Sequence, residues 1–305
     1  MRRLAKGWAL ALCLGLSPWA ACQASAMRYC DQPAPLSAEQ KDQLLRFGAV
    51  IKGALEDSGQ GLALIARSGL DLGRFGVRYS HAGVSVKAGL DTAWSVRQLY
   101  FACDENKPRV FDQGIAGFLL GLDDPAVGYV SVVLLPAAEA AALERGVLDK
   151  RRALQALGPS YSANAYPFSL RYQNCNQWLV EMLAAAWGQL DSAADSDALR
   201  AQAQRWLMSQ GYRPSVFEIG FRPLMWLGRF VPWLHDDDHP SADLEQALYR
   251  VSMPASIEAF VQATVPGAQR IEFCHAGPRV VIHRGWDAIA AGCRPGEHDT
   301  VVTLE

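Results

Sequence analysis

Cys175 stands in the run Tyr172-Gln173-Asn174-Cys175-Asn176-Gln177-Trp178, and His81 in Tyr79-Ser80-His81-Ala82-Gly83-Val84. A thiol attacks a carbonyl as thiolate or with help from a base, and imidazole is such a base near neutral pH. Asn174 is a good N-cap residue, and Gln177 follows it by three positions, as in a capping box. Cys175 is therefore expected in the first turn of a helix. There the free N–H groups and the positive end of the dipole favour thiolate. Its own N–H is expected to donate to a developing oxyanion. His81 is the expected general base. Gln98, polar within the apolar run Trp94, Val96, Leu99, Tyr100 and Phe101, is the expected third residue that orients the ring. It brings no charge. Against this chemistry stands a plainer reading, in which Cys175 is a buried packing thiol and His81 a satisfied core residue.

The elements that must position these residues are legible as periodicities. Residues 37–57 have an N-cap serine and apolar positions at helical spacing. Strands are expected at 62–67, 77–87 and 93–102, joined by short turns as a meander, with a fourth at 129–135 ended by Pro136. Small Ala82 and Gly83 beside His81 allow another element to come close. Residues 108–122 read as a connection with a short helix near 115–120, and 138–157 as one long helix. Residues 158–171 read as a loop. From Cys175 onward, Leu179, Met182, Leu183 and Ala186 mark the buried stripe of a helix. Another helix is expected over 196–209, and terminal strands near 279–283 and 300–304. Strands and helices that do not alternate regularly indicate an α+β fold, an antiparallel sheet packed on helices.

With 305 residues, 50% of them hydrophobic, the chain can bury a large core. Its formal charge of −2 lacks the basic concentration that nucleic-acid binding needs, so no such partner is expected. At the N-terminus, Arg2, Arg3 and Lys6 precede the apolar run Trp8 to Leu16, then Pro18 and Ala24-Ser25-Ala26. This is the pattern of a signal peptide over residues 1–26, cleaved near Ala26, and it implies a periplasmic or secreted protein. Lipoprotein processing at Cys22 is the rival. Trp19 stands where that route needs a small apolar residue, usually Leu. The apolar run is too short to cross a bilayer, and no later one is long enough.

Of seven cysteines, Cys13 and Cys22 leave with the signal peptide, and five remain. An oxidising compartment favours pairing, and an odd count leaves a thiol over. Cys274 and Cys293 bracket a plausible hairpin, Cys30 and Cys103 would form the residual pair, and Cys175 would stay free.

Ser80-His81-Ala82-Gly83-Val84 followed much later by Asn174-Cys175-Asn176 resembles the circularly permuted papain-like group, which includes permuted NlpC-type cell-wall peptidases and lecithin retinol acyltransferases. Their order, histidine before cysteine, is the order here. The resemblance implies a papain-like α+β domain, Cys175 as nucleophile and His81 as base. Gln98 stands where permuted relatives often carry histidine or an acid. Phe111-Asp112-Gln113-Gly114, Ala165-Tyr166-Pro167-Phe168, Arg171-Tyr172-Gln173-Asn174 and Asp237-Asp238-His239-Pro240 resemble a bacterial family catalogued as a domain of unknown function.

The resulting expectation is a single domain over 27–305, with residues from about 196 onward as a C-terminal elaboration. Its function would be that of a periplasmic cysteine hydrolase, an amidase or peptidase that needs no cofactor and acts on peptidoglycan peptides or another amide or acyl substrate. Two alternatives stay open: a catalytically silent binding module that keeps the groove, and a thioester-forming acyltransferase. The run His235-Asp236-Asp237-Asp238-His239 suggests metal ligands, but ligands so close in sequence rarely converge on one ion, and a solvated or helix-capping loop is expected. His275 and His283 are expected at the surface or in packing. The apolar stretch 221–234 suits contact with a membrane or acyl chain, but a buried helix or a lid over the core is expected first. No Gly-x-Ser-x-Gly elbow and no phosphate-binding glycine loop is present.

Overall fold

The computed structural model describes residues 35–304 except 90, 91, 191–194, 221 and 229. The expected signal peptide, Cys22 and Cys30 lie outside the described residues. Helix α1 (Ala38–Asp57) starts at a complete capping box between Ser37 and Gln40. Strands β1 (Leu62–Arg67), β2 (His81–Val86), β3 (Ser95–Ala102), β4 (Lys107–Gln113) and β5 (Val127–Leu134) follow. Later come β8 (Gln269–Ala276), β9 (Arg279–Arg284) and β10 (Thr300–Thr303). All eight form one antiparallel sheet in the order β10-β9-β8-β5-β1-β2-β3-β4. The fold is thus α+β with a large antiparallel sheet. β6 (Ser215–Glu218) and β7 (Leu248–Val251) make a separate two-stranded ribbon.

Helices cover both faces. On one face α1 and α2 (Ile115–Leu119) pack against Ala63, Ile65, Val96 and Phe273. On the other, α5 (Cys175–Trp187) packs against Leu64, Ala82, Val84 and Leu99. α3 (Ala137–Leu148), α4 (Lys150–Gln155), α6 (Ser196–Ser209) and α9 (Pro254–Thr264) enclose α5; α8 (Ser241–Glu245) packs on β7, and α7 (Arg222–Gly228) follows β6 in the chain. So α5 is buried almost all round rather than along the single stripe that periodicity suggests.

Several expectations need correction. Residues 107–113 form the edge strand β4, not a connection; Pro108 and the flanking Lys107 and Arg109 suit an edge, where a missing N–H and exposed charge are tolerated. The long helix expected over 138–157 breaks at Asp149, whose carboxylate caps α4 by accepting from the N–H groups of Arg151 and Arg152. The second strand starts at His81 rather than at residue 77. Strand β8 hid because Arg270 and Glu272 sit within it, yet both are buried and paired with each other and with Tyr79, Arg78 and Glu258. Cys274 and Cys293 form the expected disulfide, with Cα atoms 5.5 Å apart. Cys103 is also disulfide-bonded. Among the described residues, no helix is long and apolar enough to cross a membrane.

Candidate functional site

Cys175 opens α5 as expected. The Asn174 side chain accepts from the Gln177 N–H at 2.7 Å, which is half of a capping box. The return half is missing, because the Gln177 side chain donates instead to Pro167 O and to Glu181. Asn176 donates through Nδ2 to Ser80 O at 3.1 Å and so ties the start of α5 to the residue before His81. Cys175 is a free thiol, 8% exposed.

His81 is 7% exposed and begins β2. Its Nε2 meets Gln98 Oε1 at 2.7 Å, and its ring stacks on Tyr100 with centroids 4.7 Å apart. An amide oxygen only accepts, so Nε2 carries the proton and Nδ1 keeps the basic lone pair. Gln98, the residue expected beside His81, thus bonds its ring. Gly83 makes this possible: a Cβ there would lie 2.8 Å from the Arg97 carbonyl and 3.1 Å from Gln98 Cβ. The element that approaches Gly83 is the neighbouring strand, whereas Ala82 faces α5.

The pleat separates the two residues. Ala82, Val84 and Leu99 belong to the face under α5. His81, Gln98 and Tyr100 project to the other face, with the His81 ring 5.9 Å from Phe118 of α2. Cys175 and His81 meet only where the strands end, as two walls of a cavity of about 240 Å³. Among the described residues no hydrogen bond joins Sγ to either ring nitrogen.

The electrostatics of the site reverse one expectation. Burial pushes the Cys175 thiol up to about 12, although the N–H groups of Asn176 and Cys175, the Arg67 charge and the Tyr161 hydroxyl all pull it down. A helix start favours thiolate only while water or a cation offsets the loss of solvation, and this start is buried. Burial, helped by the Arg67 charge and opposed by Gln98, lowers His81 to about 3. At neutral pH the site holds a neutral thiol and a neutral imidazole.

This has a consequence for stability. His275, buried against Phe47, is lowered by burial to about 4. An unfolded chain protonates both histidines near 6.5 while the folded chain does not. Their contribution to stability is therefore complete above about pH 6.5 and is lost as the pH falls below it, by about 1 kcal/mol per pH unit per histidine. The fall continues to about pH 4 for His275 and about pH 3 for His81. Burial also lowers His239, so denaturant titrations between pH 6.5 and 5 should show stability falling, and falling less steeply in His275→Gln. A flat profile would contradict it.

Sequence reasoning missed Arg67. It ends the apolar strand β1, directly opposite His81 in the register, and is 5% exposed. Nothing along the chain pairs it with His81; only strand register does. Tyr100 and Tyr161 escaped for the same reason.

The acidic run is a clasp rather than a solvated loop. Asp238 accepts from the Tyr166 N–H, His239 bonds Asn164 O at 2.7 Å, His235 stacks on Tyr172 and Arg171 pairs with Asp237. These contacts join three of the motifs named above and hold the chain that leads into Cys175. The 221–234 stretch is not a buried helix: Met225 is buried, but Leu224, Trp226 and Phe230 are exposed, and Leu234 lines the cavity. His283 pairs with Asp299 at 2.6 Å.

The chain matches no curated protein and no solved structure. A family model described as an uncharacterized protein conserved in bacteria (DUF2145) matches residues 54–261. That span takes in Arg67, His81, Gln98 and Cys175 and leaves β8 to β10 outside. The chain belongs to this bacterial family.

Proposed function

We propose that the protein is an exported cysteine hydrolase that cleaves amide or related acyl bonds, with peptides of the bacterial cell wall as a candidate substrate class. The observation that carries this reading is the convergence on one cavity of a free thiol at a helix start and a histidine whose Nε2 is held by Gln98. The resemblance to permuted papain-like proteins, with histidine before cysteine, supports it.

In this reading Nδ1 of His81 takes the thiol proton as Sγ bonds to the carbonyl carbon. The carbonyl electron pair moves to oxygen, where the N–H groups at the start of α5 stabilise it. When the tetrahedral adduct collapses, the C–N bond breaks and the amine leaves with the proton from His81. Water then attacks the thioester, gives its proton to His81 and releases the acid, and the thiol is restored. Because both groups are neutral at rest, proton transfer accompanies attack instead of preceding it. Substrate binding must also close the gap between the two walls; catalytic hydrogen bonds are often long before substrate binds.

A panel of cell-wall peptides and simple N-acyl amides, incubated with wild type and with Cys175→Ala, tests the reading. Hydrolysis by the wild type that is lost in the folded variant supports it. Equal turnover by both removes Cys175 from the chemistry.

A second reading is a silent binding module that keeps the groove. The missing hydrogen bond between Cys175 and His81 and the thiol pushed up to about 12 favour it. Binding of the same panel by both proteins, with turnover by neither, is its signature. A thioester passed to an acceptor other than water would make the protein an acyltransferase.

A further inference from the structure

Two arginines, Arg67 and Arg74, line the cavity, and among the described residues no Asp or Glu does. Arg74 is exposed and lies over the Phe75 ring at 4.4 Å. Arg67 differs from three other buried arginines. Buried Arg97, Arg200 and Arg270 each face a carboxylate. Among the described residues Arg67 faces none. It donates through Nη1 to the carbonyls of Gly121 and Ser68 and through Nη2 to the Tyr100 hydroxyl. Its Nε is buried without a partner. A guanidinium has five N–H donors, so two remain, one on Nε and one on Nη2.

A buried cation with no counter-ion is costly, and an anion that reaches it recovers much of that cost. Its hydrogen bonds to the Gly121 and Ser68 carbonyls and to the Tyr100 hydroxyl hold the charge in place. A Cβ at Gly69 would lie 2.2 Å from Arg67 Nη1, and one at Gly121 would lie 2.2 Å from Nη2. Glycine at these two positions gives the guanidinium its room, and a side chain at either would push it aside. The rest of the wall is mainly apolar, with Leu99, Phe101, Phe217, Leu234, Val251 and Met253 among its residues.

We propose that Arg67 is a specificity-determining residue that binds a ligand carboxylate. The cavity then takes an amphiphilic anion: a carboxylate on Arg67 and an apolar body along the Leu99–Phe217–Val251 wall. Where the hydrolase reading holds, the substrate is an acyl or peptidyl compound whose carboxylate sits beside the carbonyl that Cys175 attacks. That last step rests on the proposed function. The anion site itself does not.

The test is protection of Cys175 from iodoacetamide, a neutral reagent, followed by intact mass. Three probes are compared: 4-phenylbutyrate, its neutral amide, and acetate. The butyrate should half-protect at a concentration at least tenfold below the amide, and acetate should protect far less than either. Gly121→Ala, which displaces the guanidinium, should bring the butyrate and amide curves together, whereas Arg74→Gln should keep them apart. Equal protection by butyrate and amide in the wild type would overturn the proposal, without any variant having to fold. Protection by acetate equal to the butyrate would overturn the apolar half of it. Collapse of the difference in Arg74→Gln would move the anion to the cavity mouth and overturn the assignment to Arg67. Protection needs no turnover, so a protein that never hydrolyses an acyl bond but still prefers the butyrate would lose the hydrolase reading and keep the anion site.

Discussion

Glu181→Ala should cost about 3–5 kcal/mol of folding stability, the range for breaking a buried ion pair from one side. The Glu181 carboxylate is 1% exposed on the central helix α5. It accepts from Gln173 Nε2 at 2.6 Å, Gln177 Nε2 at 3.1 Å, Arg200 Nε at 2.9 Å and Gln204 Nε2 at 2.9 Å. Arg200, with no exposed surface, spends its other donors on the carbonyls of Leu170, Ser169 and Tyr172. Removing the carboxylate strands that guanidinium and leaves three amides short of an acceptor. Equilibrium denaturation reads the loss. The double variant Glu181→Met with Arg200→Met removes both charges and should lose less than the single variant, because no uncompensated ion remains. A single-variant loss below about 1 kcal/mol, the value of an exposed pair, would show the network to be solvated. The same network holds residues 169–173, the approach to Cys175. Its loss should therefore also speed alkylation of the thiol.

The second large effect concerns chemistry. His81→Ala should slow acylation of Cys175 by about 10²-fold, the low end of the worth of a positioned base, because burial holds the imidazole's basicity well down. The argument rests on the neutral thiol. With its acidity pushed up to about 12, the fraction of thiolate at neutral pH is negligible, so attack without a proton acceptor is slow. Gln98→Leu should retain part of this rate, since it leaves the base and removes only the bond to Nε2. Acylation rates for the two variants, measured with one activated ester at one pH, give the ratio. Equal rates in wild type and His81→Ala would mean that His81 is a packing residue on Tyr100 and nothing more.

How far these features can be read along the chain depends on their range. Local signals were reliable. The Ser37 cap, the Asn174 cap and the apolar run of β1 act within a few residues, and each sits where periodicity and capping chemistry place it. The Gln98–His81 bond was also legible, because a polar residue in an apolar strand next to a histidine strand has few other partners. What escaped depends on distant partners. β8 was obscured by Arg270 and Glu272, whose charges pair with each other and with residues remote in sequence. β4 was obscured by Pro108, which only an edge accepts. The acidity of Cys175 departs from the rule for helix starts because that rule holds for solvated ones, whereas α5 is enclosed by four other helices and the sheet. Arg67 was invisible, because a strand-terminal arginine usually reaches solvent. Only the register with β2 and the bonds to Ser68, Gly121 and Tyr100 show that this one is held inside.

The most direct test of the account is whether Cys175 becomes acylated. The purified protein would be mixed with p-nitrophenyl butyrate, and p-nitrophenol release followed beside intact mass and peptide mapping. The account predicts a burst of one equivalent, a butyryl group on the peptide that carries Cys175, and loss of that burst in Cys175→Ala and in His81→Ala. Steady release without a burst, or a butyryl group on another residue, would contradict it.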